Sequence, residues 1–268
     1  MKVEDFFHRR PVFTNEELAQ FLASRRAHGP RTQESLLAYY TKTGRVVRVR
    51  RGLYAVVPPG ATRETYSFDP FLFTAKMTKD AVLAYHTALE IHGKAYSTHQ
   101  YLAYLSNRPL RPLAFRSQLF RGVKFPQILL RKGKENYGVV EMDRVGLVVR
   151  VTSLERTLVD VMNRPDLSGT WEEIWRSLES VEFFGLDKVV EYALLLENAT
   201  TAAKVGFFLE QHRETLMVDD VHLKPLRDLR PQQPHYLERK RRKAGRLAKG
   251  WNLVVPKEVF ERTWAEVL

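Results

Sequence analysis

Apolar positions in the first sixty residues fall into three periodic stretches broken by turn residues. Residues 4–10 (EDFFHRR) predict a short helix stopped by Pro11. Thr14 then opens T-N-E-E, in which the threonine hydroxyl can cap a helix and Glu17 can reach back to the cap. Leu18, Phe21 and Leu22 follow at helical spacing, so a helix is expected over about residues 15–25, with Gly29 and Pro30 as the break. The next run, RTQESLLAYYTKTG, predicts a helix ending at Gly44. At 100° per residue it places Leu36, Leu37 and Tyr40 inside, with Gln33 at their margin. Arg31, Ser35, Ala38, Tyr39 and Lys42 fall outside, with Thr32 beside them. In RVVRVRRGLYAVVPPG the period shortens to two: Val47 and Val49, then Leu53 and Ala55, mark two strands bent at Arg50, Arg51 and Gly52.

Pro58, Pro59 and Gly60 interrupt the pattern, and residues 60–68 read as a linker. Beyond them DPFLFTAKM and HTALEIHG predict short helices, and HQYLAYLS, QLFRGVKF, YGVVEMD and VGLVVRVT predict strands. Asp143 and Arg144 lie at a turn joining the last two into a hairpin. Ser153 is a suitable N-cap for SLERTLVDVMN, whose Leu154, Leu158 and Val161 share a face. WEEIWRSLESVEFF, LDKVVEYALLLE and TTAAKVGFFLEQH predict three more helices. The expected fold class is α+β: an N-terminal winged helix-turn-helix over residues 1–66, then a mixed α+β domain over 67–268 with a helical subregion.

Charge changes this picture by its location. The 268 residues carry 43 Lys plus Arg against 31 Asp plus Glu, a formal net charge of +12. Residues 1–66 hold 12 basic and 6 acidic side chains, and residues 222–251 hold 10 and 2. The rest is close to neutral, which favours a polyanion partner over a general solubility effect. Prolines 225, 231 and 234 precede the densest basic run, so that segment is expected to begin irregular and exposed, ahead of an apolar strand near Trp251. With 44% hydrophobic and 28% charged residues the composition is that of a globular protein. No stretch reaches the ~18 consecutive apolar residues of a membrane span. The expectation is a soluble cytoplasmic protein without a membrane partner.

Candidate chemistry is sparse. With no cysteine, disulfides, thiolate metal sites and a thiol nucleophile are excluded. His86, Glu90 and His92 invite a metal reading, but the spacing turns His92 away from the other two, and a capping or helix-end role explains each histidine better. Asp166 with a distant Glu238-Arg239-Lys240 is too scattered for a metal-dependent nuclease. No phosphate loop, nucleophile elbow or kinase motif is present. Neither a catalytic residue nor a cofactor is therefore assigned.

A helix pair followed by an arginine-rich hairpin divides labour on a duplex: the second helix reads the major groove and the wing holds phosphates. The candidate contacts to double-stranded DNA are Arg31, Thr32, Ser35, Tyr39, Lys42, Arg45, Arg48, Arg50 and Arg51. Arg239, Lys240, Arg241, Arg242, Lys243 and Arg246 form a candidate phosphate-contacting arm, with a solvated loop as the plain alternative.

The segments RVRRGLYAVVP, LAYHTALEIHG, VTSLERTLVDVMNRPDLSGTWEEI and KGWNLVVPKEV together make the chain resemble the AbiE-type antitoxins of type IV toxin–antitoxin systems, over most of its length. The E-R-T-L-x-D-x-x-x-R-P run is the most specific of them. The resemblance implies an N-terminal domain that represses its own operon at inverted repeats and a C-terminal domain that counteracts a nucleotidyltransferase-like toxin, with or without direct contact. Glu155, Arg156 and Asp160 fall in the specific run, and a capped helix with an internal ion pair accounts for them equally well. Two competing readings are an enzyme acting on nucleic acid through Asp166 or His86, and a winged-helix regulator whose C-terminal domain senses a ligand.

Overall fold

The computed structural model describes residues 3–24, 30–238 and 245–264. Its N-terminal unit runs α1 (Val3–Arg9), β1 (Val12–Thr14), α2 (Asn15–Ala23), α3 (Pro30–Lys42), β2 (Val46–Arg50) and β3 (Leu53–Val56). The three helices and the hairpin follow the sequence expectation; β1 does not, because three residues are too few to show a period. It pairs antiparallel with β3, giving the strand order β1-β3-β2. β3 is buried at every position, which explains the unbroken apolar run LYAV. Phe13, Tyr54 and Val56 meet Phe6, Phe7, Leu18 and Leu37 on one side of this small sheet. On the other side Val12, Val49, Leu53 and Ala55 join Leu72, Phe73, Met77 and Tyr104 of the body in one core.

The N-terminal sheet is thus fastened to the rest of the molecule, and residues 60–68 are no free linker. Arg116 donates hydrogen bonds to the carbonyls of Arg63 and Tyr66, and its guanidinium lies 4.6 Å from the Phe68 ring. Phe68 packs edge-on toward Phe115, with ring centroids 6.3 Å apart. Composition marked the break in periodicity here; the arginine that pins it lies some fifty residues further along the chain.

The body is built on a six-stranded mixed sheet. In chain order its elements are α4 (Pro70–Ala75), β4 (Val82–Leu83), α5 (His86–Ile91), β5 (Tyr101–Ser106), β6 (Leu113–Phe115), β7 (Gln118–Lys124), α6 (Gln127–Lys132), β8 (Val139–Arg144) and β9 (Leu147–Thr152). The strand order is β6-β7-β5-β4-β9-β8, with β5 parallel to β7 and β4 parallel to β9. The expected β8–β9 hairpin is present and pairs Asp143 with Val148. The short β4 and β6 carry no readable pattern of their own.

Five helices follow: α7 (Leu154–Asn163), α8 (Trp171–Glu179), α9 (Leu186–Leu195), α10 (Ala199–Gln211) and α11 (Asp220–Leu229). Ser153 caps α7 through the Arg156 amide, and Thr170 with Glu173 forms a capping box on α8. α8 stops at Glu179, short of the expected VEFF, because the Ser180 hydroxyl turns back onto the Ser177 carbonyl at 2.7 Å. The stretch just ahead of the basic run is irregular, and exposed at residues 232–234, as expected, but Pro225 lies inside α11. Leu223 and Leu226 are fully buried, and this packing sustains a helix with Pro225 inside it. The chain closes with β10 (His235–Tyr236), β11 (Gly245–Ala248), β12 (Leu253–Pro256) and α12 (Lys257–Glu261), the strands forming a third sheet in the order β10-β12-β11.

Trp251 lies in a single 3-10 turn before β12 and is fully buried. Its indole N–H donates to Glu210 Oε2 at 2.7 Å, and its ring covers Gly206 so closely that a Cβ there would stand 2.2 Å from ring carbons. The glycine in α10 is therefore a steric requirement of this tryptophan. No described helix is long and apolar enough to cross a membrane.

Candidate nucleic-acid interface

α3 is held by its inner face and left open on its outer one. Leu37 is buried, Leu36 and Tyr40 pack against the same core, and the Tyr40 ring meets Phe7 edge-on at 4.9 Å. Gln33 Nε2 donates to the Asn15 carbonyl at 2.8 Å, tying the start of α3 to the start of α2. The opposite face carries Arg31, Ser35, Ala38, Tyr39 and Lys42, all exposed, with Thr32 half-buried. Tyr39 is 62% exposed, a large solvent area for an aromatic ring.

α2 is fixed by Glu17, which also anchors the unit to the body. Its carboxylate accepts the Thr14 amide at 2.8 Å and the Arg10 guanidinium at 2.6 Å, and pairs with Lys76 at the end of α4. Burial alone would raise the Glu17 pKa; the hydrogen bonds from Lys76 and Thr14 and the charges of Lys76 and Arg10 outweigh it and hold the group below the usual range.

The four hairpin arginines, equivalent in sequence, separate into two kinds. Arg48 is exposed on β2 and Arg51 is exposed at the turn, where Gly52 adopts φ +80°. Arg45 instead pairs with Glu4 Oε2 at 2.9 Å and donates to the Val57 carbonyl, closing α1 onto the end of β3. Arg50 reaches the Met77 carbonyl at 2.6 Å and the Arg51 carbonyl at 3.0 Å, joining the hairpin to the body. Strict alternation along β2 would put Arg48 and Arg50 on one face; the bulge between them is what separates the two.

The arm lies mostly beyond what the structure shows: Arg239, Lys240, Arg241, Arg242 and Lys243 are outside the described residues. Arg246 is on β11, exposed, with its guanidinium 4.6 Å from the centroid of Phe260.

The remaining candidates have structural partners. His86 is fully buried, stacks on His99 at 3.5 Å between centroids, and bonds the Ser97 carbonyl at 2.8 Å. His92 bonds the Thr152 carbonyl at 2.8 Å. Asp166 accepts both Nε and Nη2 of Arg164 at 2.9 Å. Arg156 and Asp160 form the internal ion pair, Nε to Oδ2 at 3.2 Å, both fully buried. Among the described residues no three His, Cys, Asp or Glu side chains are arranged to hold a metal ion.

Residues 1–57, the unit that presents α3 and the hairpin, match a family model described as a transcriptional regulator, AbiEi antitoxin. The N-terminal unit is thus similar to the AbiEi antitoxins. No curated protein matches the chain. Among solved structures, the RV2827C protein from Mycobacterium tuberculosis is similar at 17% identity, with a TM-score of 0.60 over 98% of this chain and 93% of that one. At that identity the likeness concerns the fold, and it spans the N-terminal unit and the body together.

Proposed function

We propose that this AbiEi-type regulator is a winged-helix repressor of its own operon and the antitoxin of a type IV module. Residues 1–66 would bind the operator and residues 67–268 would counteract a nucleotidyltransferase-like toxin. The observation that carries the DNA-binding part is the outer face of α3: small and polar at Ser35 and Ala38, cationic at both ends, and borne on a helix whose inner face is locked into the core. Such a face can approach base edges closely. Arg31 and Ser35 then read bases, Thr32 and Tyr39 lie at the groove wall, and Lys42, Arg48 and Arg51 neutralise phosphates. Arg45 and Arg50 leave this set, because their guanidinium groups are engaged within the protein. Inverted repeats would match two copies of the chain on one operator.

Gel-shift titrations over a range of salt test this reading. Arg48→Ala with Arg51→Ala removes two phosphate contacts and lowers the log–log salt slope by about 1.8, at ~0.9 per phosphate. Arg31→Ala changes discrimination between operator and scrambled DNA by about 1–3 kcal/mol. An unchanged slope and an unchanged specificity ratio in these variants would remove α3 and the hairpin from the DNA interface. For the antitoxin part, growth rescue by the full chain co-expressed with the product of the neighbouring gene is the expected result, and no rescue refutes it.

A further inference from the structure

A cavity of about 410 Å³ opens where α4 and α5 meet β5 and β7. Pro70, Phe71 and Leu102 supply its apolar wall, and Glu90, His99 and Gln118 are its chemically active lining. This volume is within the range of small-molecule sites.

The Thr98 hydroxyl and the Gln118 amide N–H groups belong to the lining as donors, but the atoms in it that are buried without a partner or a counter-charge are acceptors. Glu90, whose side chain is 9% exposed, accepts the His99 amide at 2.8 Å and stands 3.6 Å from His86 Nε2. Among the described residues no lysine or arginine pairs with it. Burial pushes the pKa of its carboxyl up, so the charge there is under-compensated. His99 Nε2 faces Glu173 Oε1 at 3.5 Å, and a carboxylate there selects the Nε2–H tautomer. That leaves Nδ1 as an acceptor, and it is buried without a hydrogen-bond partner. Gln118 Oε1 is buried and unpartnered as well. A carboxylate, an imidazole nitrogen and an amide oxygen in one apolar-walled cavity call for a group that only donates and carries positive charge.

We infer that the cavity is a binding site for a small organic cation, a primary amine whose ammonium donates to Glu90, His99 Nδ1 and Gln118 Oε1 while its carbon body lies against Phe71, Pro70 and Leu102. An ammonium has three donors for these three acceptors. Arg144, 4.9 Å from the Phe71 ring, is neutralised by Asp69 at 2.6 Å and leaves the site net acidic. The occupant would touch α4, and the neighbouring α4 residues Leu72 and Phe73 pack against the N-terminal sheet. The site stands independently of the DNA-binding reading.

A matched pair of probes, 2-phenylethylamine and 2-phenylethanol, tests the inference by isothermal titration and thermal unfolding of the full chain at constant ionic strength. Saturable binding and a raised Tm are expected with the amine at ~10 mM and not with the alcohol. Glu90→Gln should weaken amine binding at least ten-fold, and Gln118→Leu, at the cavity edge, several-fold. The second variant decides the matter if the first fails to fold. Equal response to amine and alcohol, no saturation by the amine, or undiminished binding in the variants overturns the site.

Discussion

Asp160→Asn tests whether the most specific stretch of the sequence, E-R-T-L-x-D, is architecture or a contact surface. Asp160 and Arg156 are one turn apart on α7, and neither is reached by solvent. Asp160 accepts Arg156 Nε at 3.2 Å and the Tyr192 hydroxyl at 2.8 Å. Arg156 Nη1 donates to the carbonyls of Glu135 at 2.8 Å and Tyr137 at 2.6 Å, and its guanidinium lies 5.1 Å from the Tyr192 ring. One side chain thereby joins α7, α9 and the loop before β8. The Asn variant keeps the shape and an acceptor for Tyr192 but leaves the guanidinium charge buried without its counterion. Breaking one side of such a pair costs about 3–5 kcal/mol. At roughly 2–4 °C per kcal/mol for a chain of this size, Tm falls by about 6–20 °C. The double variant Arg156→Met with Asp160→Leu removes both charges and should lose much less than the sum of the two single changes. Urea and thermal unfolding of the wild type, Arg156→Met, Asp160→Leu and the double variant measure this coupling. A change below ~0.5 kcal/mol in Asp160→Asn, with loss of toxin neutralisation by a protein that stays folded, would refute the structural reading and make the run a functional surface.

Other consequences follow from the same interiors. Burial and the neighbouring His99 lower the His86 pKa to about 4 from an unfolded value near 6.5, so this group's contribution is complete above pH 6.5 and is lost as pH falls toward 4. The loss is about 3 kcal/mol at most, read as a urea-midpoint slope between pH 7.5 and 4.5 that flattens in His86→Asn; equal slopes in the two proteins contradict it. Gly206→Ala drives a methyl into the Trp251 ring and should cost about 1–3 kcal/mol, with a red-shift in tryptophan fluorescence as the check. Arg50→Ala should leave the salt slope of DNA binding unchanged and raise protease sensitivity in the connector at 60–68, since its bond to Met77 fastens the hairpin to the body. A reduced slope would return Arg50 to the DNA-contacting set.

Local rules carried a large part of the fold. The caps at Thr14 and Ser153, the hairpin of β8 and β9, and the two faces of α3 depend on neighbours within a few residues, so their signals lie in consecutive letters. The elements that were not legible depend on distant partners. β1 exists because β3 offers it hydrogen bonds from forty residues away, and α11 tolerates Pro225 because Leu223 and Leu226 find a core. Of the acceptor cavity, sequence singled out only Glu90, and for a metal; His99 and Gln118 come from separate segments and had no motif.

By itself the sequence determined where the excess charge lies, which helix faces are apolar, and that cysteine chemistry is absent. These are properties of composition and period, and folding does not alter them. Only the tertiary structure decided which cations are available. Arg45, Arg48, Arg50 and Arg51 are the same residue type within seven positions, yet two face solvent and two are bonded to Val57, Glu4 and Met77. The physical reason is that a buried guanidinium must find acceptors where the chain happens to return, and that return is set by packing of the N-terminal sheet on the body.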